Sequence, residues 1–477
     1  MDFVSIQFVI AVIVCTIVYY SLGNRYKNGF LILLSCLFIG SLDYLLLPYV
    51  IIYALFNYYI GIKLAATSKK KLVFRIGIWI NLLQLGLLKY ASFTFDPMLD
   101  VLDTSIRFSK ISEFIVPFGI SYITLQGIGY LINIQKGWEK PESYFPNLLL
   151  YFTFFPKFLS GPIERSNHFI PQIKKWGSLN EANIISGARI ILYGFFKKVA
   201  IANQLAPYVL SNNMEFNSSD GFSLWTIFLV QPLYLYFDFS GYTDIAIGFA
   251  KMFGIDLLPN FNRPFFSQNM TNFWKRFHIS LSSWFNDYIF KQTMFKRRKW
   301  GEFAPVYALI ITWVLFGIWH GAGWTFMLLG FLQAIAIIYE YFTRKWRKKL
   351  FSSMGQPVSK MIGRIATYLF YCISMVFFFS PSLGTIALFM KGLFTKSMSV
   401  SLDGISTIPY MLLIYIPIIF FVELLQEDYP NQYNKIERNW YRNSKRNQFL
   451  RWTLYSLIIT ILIIVGFEEQ QFVYVDF

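Results

Sequence analysis

Apolar runs close to 20 residues long recur along the whole of this chain, about the length an α-helix needs to cross the hydrocarbon core of a bilayer. Few architectures accommodate that pattern, and the chain is read as an all-α polytopic membrane protein. Composition agrees: charged residues are 14% of 477, where a soluble domain carries about a quarter. The first run, residues 3–22, has no basic leading region and no small-residue cleavage site. It reads as a retained helix, not a signal peptide.

The net charge of +17 is distributed as a topology signal, and no nucleic-acid partner is expected. Lysine and arginine cluster in short connections: Arg25 and Lys27, Lys69 to Lys71 with Arg75, Lys296 to Lys299, Arg344 to Lys349, and Lys435 to Arg451. Such loops stay on the cytoplasmic side. Asp2, the Asp96 to Asp103 loop, and Glu468, Glu469 and Asp476 fall on the other side, which places both termini on the extracytoplasmic face. Alternation of spans and loops predicts about 11 crossings with additional half-spans. Some of the basic charge also suits anionic lipid or a CoA-type phosphate tail. Cys15, Cys36 and Cys372 lie in apolar runs, odd in number and without metal-ligand spacing, so they are read as packing residues and no metal is expected.

The whole chain, 1–477, reads as a single integral membrane domain in three regions. Residues 1–95 form four plain spans bounded by Gly23, Asp43-Tyr44, the Thr67 to Lys71 loop and Asp96-Pro97, with lipid-facing packing as their role. Residues 115–345 form the functional core and residues 360–477 the C-terminal spans. In the core, Gly119, Ser121, Tyr122, Thr124, Gln126, Gly127 and Tyr130 follow Pro117 in one apolar run. Polar groups at that density must face protein or water, because lipid offers no hydrogen bonds. Leu148 to Ile163 contains Phe154-Phe155-Pro156-Lys157 and has basic flanks at both ends. One crossing cannot have both ends inside, so a re-entrant segment is expected. Asp238 and Asp244 lie in an aromatic span at a spacing that does not share a helix face. They are expected to form a structural polar core, paired with lysine, arginine or tyrosine.

Two segments carry the chemistry. In the first, Thr271 to Phe290, Trp274, Phe277, Leu281, Trp284 and Tyr288 alternate at three and four. That spacing predicts one amphipathic helix lying at the cytoplasmic interface or dipping into the protein, with His278 on a face beside Trp274, Leu281 and Ser282. The second, residues 303–340, is too long for one span, since about 38 residues of helix reach about 57 Å. Basic loops at both ends imply a hairpin or a broken pair. Ile318-Trp319-His320-Gly321-Ala322-Gly323-Trp324 occupies its middle. An ionisable side chain at membrane depth is costly and marks a functional site, and histidine is the commonest general base. The plainer alternative is a histidine tied to a neighbouring carbonyl.

The order of these blocks resembles the membrane-bound O-acyltransferase (MBOAT) family, its alginate O-acetyltransferase branch in particular. The matching runs are 117–127, 154–165, 236–248, 259–264, 273–288 and 317–330, with the aromatic ending 471–477. The sequence FWKRFHISLSSW, followed about 40 residues later by WHGAGWTF, is the specific combination. The resemblance implies an MBOAT-type helical bundle in a bacterial cytoplasmic membrane. It also implies an O-acyltransferase that takes acetyl-CoA or another acyl thioester as substrate, binds no resident cofactor, and passes the acyl group toward an extracytoplasmic polymer. The family's embedded histidine falls on His320, as general base, and its second polar position on His278. Trp274, Arg276, Trp284, Asn286, Asp287, Trp319 and Trp324 then line the donor tunnel or position the donor. Arg276 and the basic run Lys296 to Lys299 are candidates for CoA phosphates, and Trp324 or freed backbone amides for the oxyanion. The acceptor is a cell-surface polysaccharide such as alginate-like exopolysaccharide, reached through a separate extracytoplasmic partner of serine-hydrolase type.

Two departures from the branch leave the acceptor open. Lys291-Gln292-Thr293-Met294-Phe295-Lys296 stands where a glycine-rich stretch is usual and leans toward D-alanyl transfer to teichoic acid from a carrier protein. Val376-Phe377-Phe378-Phe379-Ser380 lacks an arginine. A secondary transporter with broken helices is the reading from another class. Transporters often carry internal repeats, and none is visible between the halves of this chain.

Overall fold

Helices make up almost all of the regular structure, as the apolar periodicity requires. The computed structural model describes residues 6–91, 93–96, 119–159, 161–175, 180–212, 220–397, 412–442 and 444–466. Among them the one extended pairing outside helices is an isolated bridge between Phe261 and Phe277. The first part holds α1 (Ile6–Ser21), α2 (Asn24–Leu42), α3 (Leu46–Ala66) and α4 (Lys70–Leu85), which runs on through a π-turn, Gly86–Tyr90. The middle holds α5 (Ile120–Lys136), α6 (Phe145–Thr153), α7 (Phe155–Phe158), α8 (Ser166–Ile173), α9 (Glu181–Phe195) with a π-turn at Phe196–Ala202, α10 (Asn203–Asn212) and α11 (Gly221–Met252). Then come α12 (Met270–Phe273), α13 (Ile279–Phe285), a π-turn Asn286–Phe290, α14 (Lys291–Lys296), α15 (Phe303–His320) and α16 (Trp324–Ser353). The last part holds α17 (Gln356–Phe379), α18 (Leu383–Thr395), α19 (Leu412–Asp428), α20 (Pro430–Trp440) and α21 (Lys445–Val465).

Among the described residues, six helices are long and apolar enough to cross a membrane: α3, α4 with its π-turn, α15, α16, α17 and α21, with α1 and α18 shorter. The loop pattern suggests about eleven crossings, and not every one has to meet that length and hydropathy. One case is α11, which is 32 residues long and buried along most of its length. Its surroundings are protein, so Asp238, Ser240 and Thr243 are tolerated in it and its hydropathy falls. The outer loop at 97–103, Pro117, the two ends and the aromatic ending 471–477 lie outside the described residues.

The 148–163 segment is broken, as its basic flanks predict. α6 and α7 are nine and four residues long, too short to cross a bilayer. Both are buried: Phe155 of α7 packs against Phe8 of α1 and Phe38 of α2, and Phe152 of α6 against Tyr53 of α3. Polar residues of α5 face protein: Gln84 donates to Thr124 at 2.6 Å, Lys157 to Gln126 at 2.5 Å, and Tyr288 to Asn133 at 2.8 Å.

The four N-terminal helices are less plain than their sequence suggests. Tyr53, Asn57 and Asn81 are buried and hydrogen-bonded to one another across α3 and α4. Polar side chains inside apolar helices bond across helix pairs when lipid cannot serve them, so this region anchors α5 as well as facing lipid.

The 303–340 stretch is a hairpin, as its length demands. α15 and α16 meet at a break over Gly321–Gly323 and approach so closely that two glycines are needed. A Cβ on Gly330 would sit 2.1 Å from the Trp313 carbonyl oxygen, and one on Gly317 would sit 2.2 Å from that of Phe326. Backbone atoms cannot yield there. Gly330→Val is expected to cost about 3 kcal/mol or more by forced separation of the pair, read as a lower unfolding temperature in detergent. An unchanged melting temperature would show that the hairpin is looser than described.

Candidate active site

Three apolar clusters divide the interior, and the site lies where two of them meet. One is built on α11, α17 and α18; the other joins Tyr122 and Leu125 of α5, Trp284 and Phe285 of α13, and Trp313, Phe316 and Trp319 of α15. Between them is a small cavity of about 20 Å³ lined by His278, His320, Trp274, Phe277, Phe316, Gln333 and Phe378, among others. The two histidines that sequence singles out, 42 positions apart, therefore border the same space. His278 and His320 are 1% and 5% exposed.

His320 is the last residue of α15, because Gly321 turns fully extended at φ −166° and ψ 159°. Its ring packs among aromatics: Phe316 at 4.7 Å, Trp319 at 5.0 Å and Phe378 at 5.8 Å between ring centroids. Its position at a break between two membrane helices matches the expectation.

His278 does not sit where the spacing places it. The 271–290 segment is not one helix: α12 stops at Phe273, and His278 caps α13 with left-handed dihedrals, φ 46° and ψ 52°. The cause is long-range pairing. Asn262 N–H donates to the Arg276 carbonyl at 2.9 Å, and Ile279 N–H donates to the Asn260 carbonyl at 2.9 Å. These bonds interrupt the helical ladder between Phe273 and Ile279. A non-glycine residue at positive φ stores about 1–3 kcal/mol and persists only when its surroundings hold it. The turn thus withdraws His278 from the predicted face and points it at His320's cavity. The aromatic stripe of the segment dips into the protein, one of the two expected placements: Phe273, Phe277, Leu281 and Trp284 are all inside.

A groove of about 810 Å³ adjoins this cavity, with Trp274 and Phe316 lining both. Trp274 is held by its indole N–H, which donates to Gln333 at 3.1 Å, and its ring lies 5.0 Å from that of Phe316. The charged residues lining the groove are Lys275, Glu340, Arg344 and Arg347. Glu340 is already engaged, accepting from the Met270 and Thr271 N–H groups and the Thr271 hydroxyl at 2.5–2.9 Å. The three cations dominate what remains. Arg344 and Arg347 share one helix face by i,i+3 spacing. Sequence reading counts them in a basic loop without singling them out; the continuation of α16 to Ser353 makes them groove residues.

The other expected site residues divide. Asn286 lines the groove with Trp274. Trp284 is buried and donates to the Leu125 carbonyl at 3.0 Å, and Trp319 is buried between the histidines, 6.2 Å from the His278 ring. Neither borders the cavity or the groove. Arg276 pairs with Glu427 at 2.8 Å and with Asn272, and it does not line the groove. Asp287 is held by Lys291 at 2.8 Å and Arg165 at 3.8 Å. Arg297 and Arg298 lie over the rings of Trp300 and Phe295, outside the groove. Trp324, at the start of α16, is 62% exposed, so it cannot serve an oxyanion in the cavity. Asp238 and Asp244 form the expected polar core, paired at 2.5 Å with Lys198 and Lys197 respectively. His168 is apart from the site; its hydrogen bond to Glu164 at 2.8 Å holds the imidazole above its ordinary pKa.

Fold and site together define a polytopic helical membrane protein with a paired-histidine cavity inside it. The chain belongs to the membrane-bound O-acyltransferase family, which residues 143–384 match. It is similar to a peptidoglycan O-acetyltransferase of Helicobacter pylori, 31% identical over 81% of this chain and 76% of that protein. It is also similar to a probable alginate O-acetylase of Azotobacter vinelandii, 32% identical over 65% of this chain and 63% of that one. A teichoic acid D-alanyltransferase of Bacillus subtilis is 30% identical over 54% of this chain and 68% of its own length. The chain thus spans just under two thirds of the alginate relative and somewhat more of the other two.

Proposed function

We propose that this protein moves an acyl group, acetyl in the simplest case, from a cytoplasmic thioester toward a hydroxyl of a cell-surface polysaccharide. The observation that carries the reading is the single cavity bordered by His278 and His320 and walled from a wide cationic groove by Trp274 and Phe316. In this account the donor lies in the groove with its phosphates against Lys275, Arg344 and Arg347, where charge-assisted hydrogen bonds are strong. The thioester end reaches the histidines past the two aromatic rings.

His320 acts as general base. It takes the proton of the acceptor hydroxyl as that oxygen attacks the thioester carbonyl. The tetrahedral intermediate then collapses, the C–S bond breaks, and the thiolate leaves with the proton carried by the imidazolium. His278, on the same cavity, orients the acyl group. A cavity of about 20 Å³ holds a group of one or two water volumes, which supports a short acyl chain. The names of the relatives support a polysaccharide acceptor, and an extracytoplasmic partner completes delivery to it.

The test is turnover of radiolabelled acetyl-CoA by the purified protein in nanodiscs. Thioester cleavage above the protein-free rate supports the reading, and no cleavage with acetyl-CoA counts against it. The groove has its own signature. Arg344→Gln with Arg347→Gln is expected to raise KM for acetyl-CoA about tenfold with kcat little changed, the pattern of lost ground-state binding. An unchanged KM would remove the groove from donor binding.

A further inference from the structure

We propose that Lys89 is a positioning residue for His320, and that Lys89 and Tyr90 together clamp the broken end of α15. The proposal rests on His320 being the reactive base. Both residues belong to the N-terminal region, whose sequence suggests nothing beyond packing.

The need for a clamp follows from the break. A helix leaves its last carbonyls without intrahelical partners, and a buried or lipid-facing carbonyl must be satisfied by something other than water. Helices usually solve this with a glycine in the left-handed conformation. Here Gly321 and Gly323 are both extended, at φ −166° and −171°, so the chain makes no such cap. The partners come from far away in sequence. Lys89 Nζ donates to the Trp319 carbonyl at 2.8 Å and to the His320 carbonyl at 3.0 Å, and the Tyr90 hydroxyl donates to the Ile318 carbonyl at 2.5 Å. Three consecutive carbonyls at the end of α15 are thereby held by two adjacent side chains.

Adjacent residues on an α-helix point about 100° apart. These two nonetheless reach one helix end; they stand in the π-turn Gly86–Tyr90, and such turns recur at functional sites. Charge suits the place as well. An ammonium at a helix C-terminus faces the negative end of the macrodipole, and Lys89 also lies 5.8 Å from the Trp319 ring centroid. The same cation thus holds the backbone of His320 and lies against the ring that contacts both histidines.

Capping alone would make Lys89 structural. Positioning predicts more, because a base displaced by about 1 Å can lose about a hundredfold in rate. Lys89→Met keeps the bulk and removes charge and donors; Lys89→Arg keeps both; Tyr90→Phe removes one donor and serves as the milder variant. Each would be studied in nanodiscs by acetyl-CoA cleavage and by amide hydrogen exchange across residues 318–326, beside wild type and His320→Ala.

Lys89→Met is expected to lower kcat about a hundredfold at unchanged KM, since Lys89 does not line the donor groove. Its amides at 321–326 should exchange about tenfold faster, as local opening there becomes easier. Lys89→Arg should recover most of both, and Tyr90→Phe should lose about fivefold in kcat, the worth of one hydrogen bond. Wild-type exchange in Lys89→Met overturns the clamp. Faster exchange with wild-type kcat overturns the positioning role. If wild type cleaves no acetyl-CoA while Lys89→Met still exchanges faster, the clamp stands and the donor reading fails. If His320→Ala cleaves as well as wild type, the base reading fails and the positioning role with it.

Discussion

His320→Ala is expected to lose acetyl-CoA cleavage by at least about a thousandfold, the upper part of the range for removal of a general base. The loss should fall on kcat, because the imidazole is 5% exposed at the end of the small cavity and does not line the groove that would hold the donor's tail. His278→Ala should lose less, and part of its loss should appear as uncoupled or misdirected turnover, because the account gives it orientation rather than proton transfer. Each variant needs a matched unfolding temperature for the comparison to count. Equal rates for His320→Ala and wild type would sink the proposed chemistry. So would a His320→Ala defect confined to KM, since that pattern belongs to a contact made equally in ground and transition states.

The second large effect is on stability. Asp238→Asn should cost about 3–5 kcal/mol, because it leaves the Lys198 ammonium buried without its counter-charge. The pair is 2.5 Å apart, with side chains 0% and 3% exposed. A steep fall in thermal stability in detergent is expected, with no change in KM for the molecules that remain folded. Asp238→Leu combined with Lys198→Met should recover much of the loss, because a buried ion pair replaced by well-packed apolar groups is often neutral. A double variant as unstable as Asp238→Asn would show that the pair supports more than itself. The neighbouring Lys197–Asp244 pair, also 2.5 Å apart, makes that outcome informative. Both lysines stand in the π-turn Phe196–Ala202, which aims consecutive side chains at α11.

How legible the site is depends on the range of the interactions that build it. The 303–340 hairpin is readable because length and flanking charge are local quantities: a stretch twice the needed span with basic loops at both ends must turn back. His320 is readable for the same reason, as a costly residue beside glycines in that turn. The fate of Asp238 and Asp244 follows from the rule that buried charge is paired, although sequence does not name Lys198 and Lys197. The helix drawn through Thr271 to Phe290 fails because its three-and-four periodicity is real only in pieces. Asn260 and Asn262 pair with Ile279 and Arg276, and periodicity carries no record of what a distant loop will hydrogen-bond.

The same limit explains Lys89, Arg276, Arg344 and Arg347. A lysine in a plain span looks like packing, arginines after a span look like topology signals, and a basic residue in a motif looks like a ligand contact. Only the packed chain brings Lys89 to carbonyls some 230 positions away, commits Arg276 to Glu427, and turns Arg344 and Arg347 onto a groove. Sequence by itself determined that this chain is an all-helical membrane protein with a histidine at a break in its core, because solvent and helix geometry act residue by residue along the chain. Tertiary structure alone decided that a second histidine shares that histidine's cavity, because contacts between distant segments are set by mutual packing and hydrogen bonding, which no single stretch contains.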